Sequence, residues 1–324
     1  MISEQQKSID TGLDAKSEPE SILTGVDLSH RVAVVTGGYS GIGTETVTGL
    51  VNCGARVIVP ARRPELARQN LAGLVSPGDV VPLDLADLHS VNSCVKLILE
   101  KTHSIDILIN NAGIMACPET RVVADWELQF TANHIGHFAL TQGLMPALLE
   151  SGNARVVVLS STAHKISAIR WQDIQFAKDY DKWQAYGQSK TANSLFAVAL
   201  DSRYKDRGVR AFAVHPGGIM TPLQRHLARE EMVALGWLDS HGNPSEMAAA
   251  MFKTPAQGAG TSLWAATSAQ LNNMGGVYCE NCNIADLQEK GPAARYRGVA
   301  PWAIDAVEAD KLWALSEELL ARSF

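Results

Sequence analysis

From Val26 onward, short β-branched runs alternate with longer amphipathic stretches, and no other feature constrains the fold of this chain as much. The runs lie at 32–35 (VAVV), 57–59 (VIV), 80–83 (VVPL), 105–109 (IDILI), 156–159 (VVVL) and 211–214 (AFAV), with a seventh strand expected at 276–278 (GVY). Runs this uniformly apolar are expected where helices cover both faces of a mostly parallel sheet. No solenoid repeat and no Pro/Gly/Ser linker divides the chain, so residues 26–324 are expected to form a single α/β domain of about seven strands. Residues 1–25 are polar and aperiodic, and are expected to form a flexible or loosely docked arm.

Composition narrows the function classes. Of 324 residues, 46% are hydrophobic and 19% charged, enough apolar material for a sizeable core. With 28 basic against 34 acidic residues the net charge is -6, which points away from a nucleic-acid partner. Five cysteines spread over a long chain do not form a secreted disulfide framework. No uninterrupted apolar run is long enough to cross a bilayer, and no basic-then-apolar leader is visible. The expectation is a cytoplasmic enzyme or binding protein with no membrane partner; homo-oligomer formation is left open.

After the first strand comes Thr36-Gly37-Gly38-Tyr39-Ser40-Gly41-Ile42-Gly43, then a helix-compatible stretch from Thr44. Glycines there let the backbone approach a pyrophosphate, whose charge sits at the positive helix end. Alone, such a match also describes an ordinary tight turn; its place between strand and helix favours the dinucleotide reading. Where an acidic residue at the end of the second strand would accept bonds from the ribose hydroxyls, the chain has Ala61, followed by Arg62 and Arg63. Two guanidiniums in place of a carboxylate suit a 2′-phosphate, so NADP(H) is the preferred cofactor, with NAD(H) the alternative. Read blandly, both arginines are solvated charges at a strand end. Asp84-Leu85 and Asn110-Asn111-Ala112-Gly113 follow the third and fourth strands and open onto the same crevice.

Tyr186 and Lys190 are four residues apart in a stretch with few helix breakers, which puts them on one helix face. An ammonium beside a phenol is expected to lower the phenol's pKa from about 10 towards the range useful for proton transfer. Ser160-Ser161-Thr162 follows the fifth strand, where Ser161 can bond a substrate carbonyl oxygen. Asn133, in an expected helix, can hold a water on a proton path to Lys190. The bland alternatives are a serine cap on a turn and a buried asparagine bonded to backbone.

Together and in this order, Thr36-Gly37-x-x-x-Gly41-x-Gly43, Asn110-Asn111-Ala112-Gly113, Asn133, Ser160-Ser161, Tyr186-x-x-x-Lys190 and His215-Pro216-Gly217-Gly218-Ile219-Met220-Thr221 resemble the short-chain dehydrogenase/reductase family over Val26 to about Asp286. The resemblance implies a single-domain, Rossmann-type doubly wound fold and a hydride transfer between nicotinamide and a small-molecule carbonyl or secondary alcohol. It implies a tetrad of Ser161, Tyr186, Lys190 and Asn133. Lys190 is then expected to touch the nicotinamide ribose, Thr221 the carboxamide or pyrophosphate, and Asp84 the adenine. Tyr39, Ser40, Ile42, Leu85, Pro216, Gly217 and Ile219 complete the expected cofactor lining. Asn133-His134-Ile135-Gly136-His137-Phe138 and Tyr186 through Asn193 resemble, more narrowly, the retinol-dehydrogenase, WW-domain-oxidoreductase and protochlorophyllide-reductase-like branch. Membrane-bound retinol dehydrogenases carry an apolar N-terminal anchor where this arm is polar, so no retinoid role is carried over.

Residues 222–254, rich in Leu, Met and Trp, are expected by the same resemblance to form a substrate lid, with Trp171 or Trp183 adding to an apolar pocket. His134 and His137 (H-x-x-H) and Cys279 and Cys282 (C-x-x-C) are read as packing residues, with no metal expected. Two competing functions are a non-catalytic NADP(H)-sensing regulator, which the intact tetrad disfavours, and a nucleotide-sugar epimerase or dehydratase, which the glycine spacing disfavours.

Overall fold

The computed structural model describes residues 3–122, 125–289, 291 and 296–322. Among these, the strands in chain order are β1 Val32–Val35, β2 Arg56–Ala61, β3 Val80–Pro82, β4 Ile107–Asn110, β5 Arg121–Val122, β6 Trp126–Glu127, β7 Ala154–Leu159, β8 Val209–His215, β9 Val277–Glu280 and β10 Asn283–Ile284. Eight form one sheet in the order β10-β9-β8-β7-β4-β1-β2-β3, while β5 and β6 pair separately. Every ladder of the large sheet is parallel except β9–β10. All seven expected runs contribute a strand, and the sheet has one strand more than expected.

That extra strand explains the C-x-x-C spacing. Asn281 and Cys282 both have positive φ, 53° and 55°, between the paired residues Glu280 and Asn283. Two consecutive left-handed residues are the signature of a tight two-residue hairpin. Cys279 and Cys282 are accordingly free, buried thiols of a turn, and β10 is too short to show a period in the sequence.

Strand alternation divides the core into two. Val34, Ile58, Leu108, Val156, Val158 and Ala213 face the helices Leu88–Leu99, Gly136–Ser151, Lys182–Tyr204 and Ala306–Ala321. Ala33, Val35, Val59, Ile109, Val157 and Val214 face Ile42–Asn52, Pro64–Asn70 and Pro255–Thr267. Each fully buried Leu, Ile or Val adds roughly 1.5–3 kcal/mol of transfer free energy, so burial on both faces rigidifies the strand ends.

The chain runs from β1 outward to β2 and β3, then returns to β4 and continues the other way to β7, β8 and β9. Adjacent β1 and β4 are therefore the point where connections diverge, and a crevice opens beyond their carboxyl ends. The residues following β1, β2, β3, β4, β7 and β8 all emerge there.

The N-terminal arm, expected to be flexible or loosely docked, packs against the sheet edge. Gln6 is buried, its Nε2 donating to Tyr278 O (2.9 Å) and Ala285 O (2.6 Å) and its Oε1 accepting from Tyr278 N (2.8 Å). A polar side chain here replaces a backbone partner at the sheet edge, an interaction that hydropathy does not reveal. Further along, Lys16 Nζ donates to Phe252 O (2.8 Å), which brings the arm to the rim of the crevice. Among the described residues, no helix is long and apolar enough to cross a membrane.

Candidate active site

The turn after β1 is shaped by what cannot fit. Gly37 and Gly41 have φ of 63° and 56°, the left-handed region that favours glycine. A Cβ on Gly37 would lie 3.1 Å from Ala112 Cβ, and one on Gly43 would lie 2.5 Å from Gly37 O. The turn thus packs tightly onto both its own helix and the loop after β4. Thr36 joins these parts. Its Oγ1 accepts from the backbone N–H of Asn111 (2.9 Å) and Ala112 (3.0 Å), and its carbonyl accepts from Asn111 Nδ2 (2.8 Å). The helix Ile42–Asn52 has no side-chain cap at its N-terminus.

A cavity of about 1300 Å³ fills the crevice. Gly37, Tyr39, Ser40, Gly41, Ile42 and Gly43 line it together with Arg62, Arg63, Asp84, Leu85, Asn111, Ala112 and Gly113. So do Pro216, Gly217, Ile219, Thr221, Ser161, Tyr186 and Lys190. Of the expected tetrad, only Asn133 is outside this lining.

Ser160 and Ser161 separate because a strand sends successive side chains to opposite sides. Ser160 Oγ points inward and donates to Lys190 O (2.8 Å), whereas Ser161 meets the cavity and hydrogen-bonds the Tyr186 hydroxyl. Tyr186 and Lys190 stand on the helix Lys182–Tyr204, N-capped by Asp181, which accepts from Trp183 N (3.0 Å) and Gln184 N (2.7 Å). Lys190 Nζ donates to Leu159 O (3.0 Å) and lies 5.6 Å from the centre of the Tyr186 ring.

The expected lowering of the phenol's pKa is absent from this arrangement. Burial pushes Tyr186 up to about 12, with only the Ser161 hydrogen bond opposing it, and burial pushes Lys190 down to about 8. The Lys190 ammonium is bonded to a carbonyl, and desolvation dominates for both groups.

Asn133 lies in a π-helical turn, Thr131–Ile135, rather than in a regular helix. Such turns occur disproportionately at functional sites. Its Nδ2 donates to Ile114 O and Ser189 Oγ (both 3.0 Å) and its Oδ1 accepts from Ile114 N (2.9 Å). The side chain therefore braces the backbone beside Gly113.

The comparisons with known proteins agree with this geometry. Residues 31–232 match the family described as short chain dehydrogenase. A protein of Streptomyces lividans named "Probable oxidoreductase" is 42% identical over 302 residues, 91% of this chain and 99% of that protein. The chain belongs to the short-chain dehydrogenase/reductase family. It is an oxidoreductase of the retinol-dehydrogenase-like branch: retinol dehydrogenase 12 of Mus musculus is 36% identical over 302 residues, 92% of this chain and 88% of that one. Among solved structures, a Pseudomonas aeruginosa RhlG/NADP active-site complex is similar with a TM-score of 0.60 and 27% identity, covering 79% of this chain and 96% of that chain.

Beside Tyr186, this short-chain dehydrogenase/reductase has an apolar chamber. Met115, Ala163 and Leu227 are buried in one cluster with Tyr186, and Trp183, Leu223, Leu235 and Trp237 pack against it. Trp183 stands edge-on to Tyr186 (6.3 Å between ring centres) and to Trp237 (6.2 Å). Met247, Met251 and Phe252 also reach the cavity. Trp171 does not; its Nε1 donates to Glu308 (2.7 Å) and Lys311 covers its ring. Glu231 fastens the 222–254 segment to the helix Lys182–Tyr204, accepting from Trp183 Nε1 (3.0 Å) and pairing with Lys182 Nζ (2.6 Å).

Two histidines and an arginine carry roles that the sequence did not announce. His137 Nδ1 donates to Asn133 O (2.9 Å), which leaves Nε2 to accept from Thr36 Oγ1 (2.9 Å). His164 Nδ1 donates to Ser161 O (2.6 Å) while its Nε2 accepts from Ala300 N (3.0 Å), fixing the backbone that presents Ser161. Burial pushes both imidazoles down to about 4, so each is neutral with one donor and one acceptor, as these contacts require. H-x-x-H spacing was the visible signal for His137, read as packing; His164 gave none. Arg225 also lines the cavity.

Proposed function

We propose that this chain is an NADP(H)-preferring reductase or dehydrogenase that moves a hydride between nicotinamide and an apolar ketone, aldehyde or secondary alcohol. The observation that supports it most is the placement of Ser161, Tyr186 and Lys190 in the same cavity as the glycine turn after β1. A dinucleotide fits this cavity. The turn is closed to side chains at Gly37 and Gly43, the uncapped helix behind it offers N–H groups to a pyrophosphate, and Arg62 and Arg63 line the same cavity and would suit a 2′-phosphate. Thr221, Ile219 and Pro216 would hold the other end. When bound, the cofactor supplies or accepts the hydride.

The chain's own residues manage the proton and the oxygen. With its pKa pushed up to about 12, Tyr186 is fully protonated at neutral pH and holds the proton that a reduced carbonyl oxygen needs. Ser161, already bonded to that hydroxyl, would bond the same oxygen and stabilise charge developing on it. Lys190 would hold ribose hydroxyls and supply a positive charge beside the phenol as it loses its proton. Asn133 would act by keeping the Gly113–Ile114 backbone in place. The 222–254 segment would close the chamber as a lid and exclude water, and its Leu, Met and Trp side chains favour a hydrophobic substrate.

Turnover of a panel of ketones, aldehydes, quinones and alcohols, run in parallel with NADPH and NADH, tests the reading. Apolar carbonyls are expected to turn over, faster with NADPH. Faster turnover with NADH would overturn the Arg62 and Arg63 argument, and NADPH binding without turnover of any carbonyl would favour the sensor.

A further inference from the structure

The end of the cavity near β2 holds a third guanidinium. Arg225 stands on the 3-10 turn Pro222–His226, at the start of the segment that covers the cavity, and lines the same space as Arg62 and Arg63. Two of the three cations therefore follow β2 and one belongs to the covering segment. Among the described residues, none of the three forms an ion pair with a carboxylate. Arg225 donates from Nη1 to Pro222 O (3.1 Å), which leaves the rest of its planar fork uncommitted. Burial and repulsion from Arg62 and Arg63 together lower its pKa from the usual arginine value, and Arg62 adds to the lowering of His226 as well.

Three mutually repelling guanidiniums without a counter-charge are out of character in a chain of net charge -6. The repulsion costs free energy that a bound anion would offset, and a phosphate monoester, with close to two charges and three acceptor oxygens, suits three forks arriving from two sides. We propose that Arg225 completes the 2′-phosphate site, so that the phosphate bridges the end of β2 to the 222–254 segment and draws that segment down over the cavity. The inference rests on the NADP(H) reading above. It adds that cofactor choice and closure are coupled: the 2′-phosphate of NADPH holds the covering segment more firmly than NADH can.

The test is titration of the full-length protein and of Arg225→Gln and Arg225→Lys with NADPH, NADH, 2′,5′-ADP and 5′-ADP, with hydrogen exchange over residues 222–254. Wild type is expected to bind NADPH and 2′,5′-ADP more tightly than their counterparts. Arg225→Gln is expected to weaken both 2′-phosphorylated ligands about ten- to a hundredfold, as for loss of a charge-assisted hydrogen bond, and to leave NADH and 5′-ADP within about twofold. Arg225→Lys, which keeps the charge without the fork, should fall between. 2′,5′-ADP should protect residues 222–254 from exchange in wild type and not in Arg225→Gln. If wild type prefers NADPH but Arg225→Gln weakens all four ligands alike, Arg225 serves the pyrophosphate or the fold, and the proposal falls alone. If Arg225→Gln changes none of them, it also falls alone. If wild type shows no preference for 2′-phosphorylated ligands, the NADP(H) reading falls and takes this inference with it.

Discussion

In the proposed reaction Tyr186 is the proton donor, kept protonated by burial. A phenol pushed up to about 12 beside an ammonium pushed down to about 8 is the reverse of the depressed phenol expected from i, i+4 spacing, because spacing reports which side chains share a helix face and not how completely the fold buries them. Tyr186→Phe removes the proton and keeps the ring, so carbonyl reduction is expected to fall about 10²- to 10⁴-fold while NADPH affinity, read by fluorescence titration, stays within a few-fold. Gly43→Ala acts on the other half of the site: its Cβ would lie 2.5 Å from Gly37 O, backbone that cannot step aside without opening the turn. NADPH affinity is expected to fall by more than tenfold in the same titration. The glycines, Ser161, Tyr186 and Lys190 were legible in the sequence because each belongs to a spaced motif in a fixed order. Arg225, His137 and His164 were not: what they do depends on partners distant in the chain, such as Thr36 for His137 and Ala300 for His164.

Among the elements, the helix Lys182–Tyr204 and the 222–254 segment decide how the chamber is closed. Glu231 links them through Lys182 and Trp183, and both contacts are partly shielded from water. Glu231→Gln removes the ion pair, and the KM for an apolar carbonyl is expected to rise about three- to tenfold with NADPH affinity unchanged within about twofold, read by steady-state kinetics and titration. A KM that does not move would show that the segment's position does not depend on this link. The strand runs of the large sheet were legible from β-branched patterning, whereas β10 has two residues and no pattern to show. The π-helical turn at Thr131–Ile135 was likewise hidden, since its residues read as an ordinary helix and only the backbone bond from Gly136 N to Thr131 O reveals the extra width. The contact that fixes the arm, through Gln6, was hidden for a related reason: a buried glutamine looks like any other polar residue in a polar segment.

Taken as a whole, the molecule holds several histidines neutral inside its core. Burial pushes His134 down to about 3 and His137 and His164 down to about 4, against an unfolded value near 6.5. Below pH about 6.5 the unfolded chain takes up protons that the folded chain cannot, so this stability is complete above pH 6.5 and is lost as the pH falls towards 4. Each histidine should cost about 2 kcal/mol of unfolding free energy between pH 7.5 and pH 5, measured by urea denaturation, and His137→Gln should flatten that slope by one histidine's share. The same two-sided burial holds the strand ends on which the whole site is mounted, so the central claim concerns the molecule and not one residue. It is tested most directly by incubating the protein with NADPH deuterated on the transferable face of nicotinamide C4 and an apolar ketone, and locating the label by mass spectrometry. Deuterium on the carbinol carbon of the alcohol, formed by wild type and abolished in Tyr186→Phe, is the predicted result. Bound NADPH with no deuterium passed to any carbonyl in the panel, or transfer unaffected by loss of the Tyr186 hydroxyl, would contradict it.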